Sequence, residues 1–263
     1  MAADIKPIGI FDSGVGGLTV AKEIMAVLPH QPLVYFGDCI NAPYGNRTDD
    51  ELLGFSQRII NFLLEKDVGA IVVACGTIST RIFAELGQFV PGHIPLYEML
   101  TAGVQAVTEA SKTGKIGVIA TEGSVKSGAF EREILKARPD AMVKSVACPL
   151  LVPLVEEGWA GGEVADLVAK EYLKDLAESD VDTLLLGCTH YPLLSDSIAK
   201  SLPNATLINP ANHVAENLRN CVNYASASPE KPKHQFYTTA KKEKFDKIAK
   251  NILPAFDKPS ILV

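Results

Sequence analysis

Residues 67–77 (DVGAIVVACGT) and residues 180–190 (DVDTLLLGCTH) share one layout, and this repeat decides the predicted fold. Each stretch opens on Asp-Val, continues as a short apolar run and reaches a cysteine eight residues after its aspartate. Short apolar runs that stop at a turn are typical of buried strands in parallel sheets. The two cysteines, Cys75 and Cys188, are 113 residues apart, and we expect them to face each other across a cleft between two related lobes.

Other landmarks repeat at a similar interval. Residues 116–121 (IGVIAT) echo residues 8–13 (IGIFDS) at an offset of 108, and Cys148 follows its predicted strand as Cys39 follows its own, at an offset of 109. Three landmarks that keep their order indicate an internal duplication. It predicts two similar α/β lobes with parallel sheets, whose ligands gather at the carboxyl ends of the strands.

Helices and strands are expected to alternate along the rest of the chain. Thr48 and Glu51 form a predicted capping box at the start of a helix with an apolar face. The predicted elements after Cys188 are a helix at 193–202, a strand at 205–208, a helix at 214–222, a polar connector at 228–233, an edge strand at 234–239 and a closing helix at 241–253.

Composition restricts the kinds of partner. The chain has 263 residues, 47% of them hydrophobic, and a net charge of −6, whereas nucleic-acid binding calls for clustered Lys and Arg. No apolar run approaches the roughly 20 residues of a membrane span, and residues 1–7 lack the layout of a secretory signal. Five cysteines without CxxC spacing indicate free thiols in a reducing cytoplasm and no metal site.

A glycine-rich turn, residues 12–17 (DSGVGG), follows the first predicted strand. Such glycines either make the turn tight or let backbone N–H groups approach an anion at the start of a helix. Thr19 stands where a dinucleotide-binding fingerprint needs its third glycine, and no Gly-Lys-Ser/Thr follows. The ligand that suits this turn best is a small anionic group such as a carboxylate.

A matched pair of cysteines allows proton chemistry. A single cysteine at a strand end is usually a small buried apolar residue, a disulfide does not suit the expected compartment, and metal binding needs more Cys or His neighbours. A thiol has an ordinary pKa of about 8.5, so a thiolate can remove a proton from one side of a carbon while a thiol returns one from the other. That reaction inverts a stereocentre. Asp12 would assist Cys75, and His190 would assist Cys188.

Several longer segments carry a resemblance to a known family. They are residues 12–19 (DSGVGGLT), 37–38 (GD) with 43–45 (PYG), 148–156 (CPLLVPLVE), 187–194 (GCTHYPLL) and 236–239 (FYTT). These segments resemble the signature segments of glutamate racemases, which belong to the cofactor-independent aspartate/glutamate racemase group. The similarity covers nearly the whole chain.

The resemblance implies two Rossmann-like α/β domains with a pseudo-symmetric arrangement and the active site between them. One domain is split in sequence, at residues 1–97 plus 207–263, and the other spans residues 98–206. The implied reaction is a two-base racemisation of glutamate that needs neither pyridoxal phosphate nor a metal nor another cofactor. Cys75 would serve the D face of the substrate and Cys188 the L face.

Further residues and a biological setting follow from the same resemblance. Family members act on a small-molecule substrate, supply D-glutamate for peptidoglycan and hence for the cell wall and cell shape, and are commonly dimers. The implied assisting groups are Asp12, Glu156 and His190, and the implied substrate-binding residues are Ser13, Pro43, Tyr44, Gly45, Gly76, Thr77, Thr121 and Thr189.

One position departs from the family pattern. The residue after the first cysteine is normally asparagine, whereas here it is Gly76, in residues 75–79 (CGTIS). If that amide holds a charged group of the substrate, its loss costs about 1.5–3 kcal/mol of binding and leaves space in the pocket. Three hypotheses therefore stay open: a glutamate racemase, a racemase of another acidic or modified amino acid, and a non-catalytic binder of a small carboxylate.

Overall fold

Two parallel β-sheets form the framework of the protein. The structure, a computed structural model, describes residues 5–221, 232–253 and 256–263, and every strand pairing within them is parallel. The predicted α/β fold with parallel sheets is therefore confirmed. The first sheet consists of β1 (Ile8–Asp12), β2 (Leu33–Gly37), β3 (Ala70–Val73), β4 (Leu96–Glu98), β9 (Gln235–Thr238) and β10 (Ile261–Leu262). The second sheet consists of β5 (Lys115–Ala120), β6 (Met142–Ala147), β7 (Thr183–Leu186) and β8 (Thr206–Ile208).

The two sheets share one strand order, as the internal repeat predicts. The order β2-β1-β3-β4 in the first sheet recurs as β6-β5-β7-β8 in the second. Ile8 lies opposite Ala70 in the first sheet, and Ile116 lies opposite Thr183 in the second. These partners are the ones that the sequence offsets of 108 and 113 relate to each other. The lobes, defined here by the two sheets and the helices on them, are thus equivalent in register as well as in order.

Helices cover both faces of each sheet. In the described part of the chain, no helix has both the length and the apolar character that crossing a membrane requires. The helices are α1 (Leu18–Val27), α2 (Asp49–Glu65), α3 (Gly76–Arg81), α4 (Phe83–Leu86), α5 (Met99–Ala110), α6 (Glu122–Ser127), α7 (Ala129–Ala137), α8 (Leu151–Glu156), α9 (Glu163–Ala177), α10 (Ser195–Ser201), α11 (Pro210–Cys221) and α12 (Lys242–Ile252). Short 3₁₀ turns lie at Tyr44–Asn46, Gly87–Phe89 and Tyr191–Leu194.

Strands buried on both faces explain the unbroken apolar runs in the sequence. Ile8 and Ile10 of β1 pack into one hydrophobic cluster, while Phe11 of the same strand packs into another on the opposite face. The central strands β5 and β7 of the second sheet likewise contribute to two clusters. Because alternate side chains of such a strand enter different cores, both faces must be apolar.

Helix ends follow the capping signals in the sequence. The Glu51 backbone N–H donates to the Thr48 hydroxyl at 3.2 Å, and the Thr48 backbone N–H donates to the Glu51 carboxylate at 2.8 Å. The predicted capping box is therefore confirmed. The helix expected from residue 214 begins earlier, at Pro210, since proline suits a first helical turn and the Asn209 side chain accepts from the Ala211 N–H at 3.1 Å.

The prediction of an edge strand at 234–239 is wrong. β9 lies between β2 and β10, so the edge of the first sheet is β10. A strand of two residues is too short to show any alternation in sequence, and its pairing comes from the Val263 N–H, which donates to the Thr238 carbonyl at 3.0 Å.

Two further predictions have a different status. Most of the expected connector at 228–233 lies outside the described residues. The domain boundaries at 97/98 and 206/207 stay predictions, and each of them falls within a strand, β4 and β8 respectively.

Candidate active site

The carboxyl ends of the two sheets face each other, and hydrogen bonds join them. Asp12 is the last residue of β1, and its carboxylate accepts from the Thr189 hydroxyl, just beyond β7, at 3.1 Å. The hydroxyls of Thr77 on α3 and Thr121 at the end of β5 lie 3.1 Å apart. Four of the predicted site residues thus meet in pairs across the boundary between the lobes.

Asp12 is the buried anion of this region. Its carboxylate has no exposed surface and also accepts from the Gly14 N–H at 3.0 Å and the Ser13 hydroxyl at 3.3 Å. Burial raises the pKa of the Cys75 thiol to about 12, and the negative charge of Asp12 raises it as well, while the Ile78 N–H at the start of α3 opposes the shift. Cys75 is therefore protonated at neutral pH.

Cys188 lies beside a cation rather than an anion. Its Sγ is 3.8 Å from His190 Nδ1, and His190 Nε2 is 3.6 Å from Glu156 Oε1. Burial disfavours the imidazolium, but the contacts with Cys188 and Glu156 outweigh it and raise the pKa of His190 to about 10. His190 in turn lowers the pKa of Glu156. The Cys188 sulfur, the His190 imidazolium and the Glu156 carboxylate thus lie in a row.

The His190–Glu156 contact is an ion pair rather than a short hydrogen bond. The imidazole is almost fully buried, and Nε2 has no hydrogen-bond partner within the described residues. A buried donor without a close acceptor is costly unless a charge compensates for it. Glu156 is only partly buried. We therefore expect its carboxylate to move closer to His190 Nε2 when Cys188 carries a negative charge.

The two sulfurs are close enough to interact electrostatically. A negative charge on Cys188 raises the pKa of Cys75, and both residues are buried, with exposed fractions of 5% and 8%. A cavity of about 10 Å³ borders Cys188, and its lining also includes Val20, Met99 and Pro210 but not Cys75. The lobes are in contact beside the cysteines, since the Gly187 carbonyl oxygen lies where a Cβ of Gly76 would be.

Asp38, to which the sequence analysis assigns no role, holds the predicted substrate loop at residues 43–45 through a hydrogen bond. Tyr44 is buried, and its hydroxyl donates to Asp38 at 2.6 Å; burial and the Asp38 charge raise its pKa. Asp38 also accepts from Asn41 and Thr239. Asp38 follows β2 as Asp12 ends β1, so its strand-end position was the available signal.

Gly45 of this loop lies at the boundary between lobes. The peptide bond between Ala42 and Pro43 is cis. A Cβ on Gly45 would lie 3.4 Å from Thr121 Cβ, so this part of the loop contacts the second lobe directly.

The glycines after β1 permit two close approaches, that of Gly16 to the second lobe and that of Gly17 to residues of its own lobe. A Cβ on Gly16 would collide with the side chains of Thr189 and His190, and a Cβ on Gly17 would lie 2.5 Å from Asp12 Cβ and 2.8 Å from the Tyr35 hydroxyl. The close approach that these glycines permit is therefore to protein atoms.

The expectation that Gly76 leaves space is wrong. The Gly187 carbonyl oxygen of the facing lobe occupies the position of the missing side chain, so that a Cβ on Gly76 would lie less than 3.0 Å from it. The Gly187 carbonyl thus lies where the first atom of a side chain at position 76 would be.

A second pair of hydroxyls across the boundary was not predicted. Thr80 donates to Ser124 at 3.0 Å, and Thr121 donates to Ser124 at 3.0 Å. Thr77 and Thr80 are three residues apart on α3, and Thr121 and Ser124 have the same spacing at α6. This spacing places each pair on one helix face and was the signal that could have identified them.

The arrangement supports proton transfer from two sides. The protonated thiol of Cys75 lies in the first lobe and the sulfur of Cys188, beside an imidazolium, lies in the second, each at the same place in a duplicated fold. Within the described residues, no three or more His, Cys, Asp or Glu side chains are grouped so that they could hold a metal ion.

Comparisons with known proteins identify relatives over nearly the whole chain. The model of the Asp/Glu/hydantoin racemase family matches residues 19–218. The glutamate racemase of Neisseria meningitidis serogroup C is 40% identical over 251 residues, which cover 94% of this chain and 93% of the relative. The glutamate racemase of Geobacter metallireducens is 45% identical over 197 residues, 75% of this chain and 72% of the relative.

A solved structure has the same fold. Glutamate racemase from Francisella tularensis in complex with D-glutamate superposes with a TM-score of 0.89 and 35% sequence identity, covering 98% of this chain and 97% of that one.

The site geometry predicts pKa shifts in opposite directions for the buried His190 and the partly buried His234. The imidazole of His190 should titrate at about 10, because Cys188 and Glu156 favour its charged form, whereas burial lowers the pKa of His234 below 6.5. NMR of the imidazole signals between pH 5 and pH 10.5 measures both in one sample, with His190→Gln and His234→Gln giving the assignments. A pKa of His190 near 6.5 would contradict the proposed ion pair between the His190 imidazolium and Glu156.

Proposed function

The chain belongs to the Asp/Glu/hydantoin racemase family, and we propose that it interconverts L- and D-glutamate. The observation that carries this proposal is the pair of buried cysteines, Cys75 and Cys188, at equivalent strand ends of two facing lobes. Each has its own charged neighbour, Asp12 or His190. The similarity to the Francisella protein, which binds D-glutamate, supports the choice of substrate.

The proposed reaction moves one proton off the α-carbon and another onto it. In the L-to-D direction the Cys188 thiolate takes the α-proton, so an S–H bond forms as the C–H bond breaks. The electron pair stays on the substrate as a carbanion that is delocalised into the α-carboxylate. The Cys75 thiol then gives its proton to the opposite face and becomes a thiolate. The D-to-L direction exchanges the two roles.

The neighbours of each sulfur fit this division of work. The His190 imidazolium favours negative charge on Cys188, while Asp12 makes the Cys75 thiolate, once formed, a stronger base because it raises that pKa. Glu156 keeps the imidazolium charged. Ser13, Thr77, Thr121 and Thr189 supply hydroxyls around the site, in keeping with the binding of a carboxylate.

Substrate entry requires the lobes to separate, because the Thr189 hydroxyl donates to the Asp12 carboxylate across the boundary and the Gly187 carbonyl lies against Gly76 next to both cysteines. A cavity of about 660 Å³ lies between Gly45 and Thr80 of the first lobe and Gly123 of the second. Its charged lining has both signs, and Arg81 is ion-paired there with Asp49.

The biological setting follows from the family resemblance. We propose that the protein works without pyridoxal phosphate, metal or another cofactor, as a dimer in the cytoplasm, and that it supplies D-glutamate for peptidoglycan and so for the cell wall and cell shape. The cysteine pair supports the first of these points, because two thiols suffice for both proton transfers.

A second candidate is racemisation of another acidic amino acid. Gly76 favours it, because the family asparagine is absent. The Gly187 carbonyl fills the space beside Gly76. The absent side chain therefore gives no room for a bulkier substrate, and the candidates are acidic amino acids no larger than glutamate. Turnover of both enantiomers of glutamate and aspartate distinguishes the two candidates.

Incubation of L-glutamate with the protein in deuterium oxide, without added cofactor, should give D-glutamate that carries deuterium at the α-carbon. The reason is that Cys75 holds a solvent-derived deuteron before it returns one. Proton NMR with chiral analysis measures the product. Absence of α-exchange at every substrate concentration would refute the proposed function.

Cys75→Ala and Cys188→Ala should each lower kcat for racemisation by about 10²–10⁴-fold, because general acid–base groups contribute on that scale. Cys148→Ala is the matched control: Cys148 is buried at a strand end of the same fold, but its thiol contacts the Val146 carbonyl at 3.7 Å. Equal activity of all three variants would show that the cysteines only pack. A protein that merely binds carboxylates would be indifferent to every one of these changes.

A further inference from the structure

Gly76 and Gly187 form a backbone contact next to both cysteines. Gly76 is the first residue of α3 and directly follows Cys75, while Gly187 follows β7 and directly precedes Cys188. The Gly187 carbonyl oxygen lies where a Cβ of Gly76 would be, and the Gly187 carbonyl carbon would be 3.3 Å from that Cβ. The two lobes therefore touch here through main-chain atoms, one residue from each sulfur carrier.

The backbones of Gly76 and Gly187 are each held by contacts within their own lobe. The Gly187 N–H donates to the Ile119 carbonyl at 2.7 Å, and Phe130 and Ala120 pack so close to Gly187 that a Cβ there would lie within 3.0 Å of both. On the other side, the Thr80 hydroxyl donates to the Gly76 carbonyl at 2.9 Å within the first turns of α3. A side chain at position 76 would have to be accommodated by movement of one lobe relative to the other.

Other contacts across the boundary can adapt. Thr77 and Thr121 meet through hydroxyls that rotate about one bond, and Thr80 and Ser124 do the same. Hydroxyl pairs tolerate small changes in distance, whereas a carbonyl oxygen pressed against a Cα cannot be compressed. The Gly76–Gly187 contact therefore limits how far the lobes close at the cysteines.

We propose that Gly76 is a positioning residue, and that the absence of its side chain sets the separation of the Cys75 and Cys188 sulfurs across the substrate in the closed state. The catalytic consequence rests on the proposed function; the geometric one does not. Proton transfer from two sides needs both sulfurs at once within reach of one carbon. A misplacement of about 1 Å can cost about a hundredfold in rate.

The first test is Gly76→Ala in the full-length protein, with Gly54→Ala as the matched control. Gly54 lies in α2, and a Cβ there would have no neighbour within 4 Å. Gly76→Ala should lower kcat for glutamate by about 10- to 100-fold. In deuterium oxide, exchange with retention should rise relative to inversion, because the nearer thiolate still reaches the α-proton while the opposite thiol does not.

The second test needs no substrate. Alkylation by iodoacetamide at pH 8, mapped by mass spectrometry, reports how accessible each thiol is. Cys75 and Cys188 should react several-fold faster in Gly76→Ala than in the unsubstituted protein or in Gly54→Ala. Cys148, which is fully buried within the second lobe, should react equally in all three and serves as an internal reference.

The outcomes separate the two proposals. If the unsubstituted protein does not racemise glutamate but the alkylation rates change as described, the proposed function fails and the positioning role stands. If Gly76→Ala folds, keeps kcat within twofold and leaves the alkylation rates unchanged, the positioning role is overturned. Failure of Gly76→Ala to fold also overturns it, because the contact would then sustain the fold rather than the spacing.

Discussion

The hydrogen bond between Asp12 and Thr189 is the interaction on which the rest of the site depends. Asp12 is fully buried, and a buried carboxylate is stable only when several donors satisfy it. Its donors come from the turn after β1 in one lobe and from Thr189 in the other. The Asp12 carboxylate is therefore satisfied by both lobes together, and the same contact between lobes brings the two cysteines within electrostatic reach of each other.

A duplicated framework carries two different electrostatic halves. Cys75 and Cys188 occupy equivalent strand ends, yet an anion lies beside the first and an imidazolium beside the second. The first sulfur thus keeps its proton at neutral pH, while the second is favoured as the site of negative charge. A symmetric fold with symmetric neighbours would leave both sulfurs in the same state. In the reaction proposed above, the difference between Asp12 and His190 would supply one acid and one base from two identical side chains.

Much of this could be predicted from sequence because strand ends and repeats are local patterns. The register of Ile8 with Ala70 and of Ile116 with Thr183 follows from the two offsets, and Asp12, Cys75 and Cys188 were placed by the rule that parallel strands end at one edge. Contacts between distant backbones leave no such pattern. Gly16 and Gly76 touch residues more than 100 positions away, and the space expected at Gly76 is filled by Gly187. The two-residue strand β10 likewise depends on pairing alone.

The central claim is that Cys75 and Cys188 flank a single carbon atom of one substrate. A crystal structure of the protein with glutamate bound tests it most directly. Our account predicts that the substrate α-carbon lies between the two sulfurs, on opposite faces and within about 3.5 Å of each. A bound glutamate with both sulfurs on the same side, or with either thiol turned into the core of its own lobe, would contradict the account.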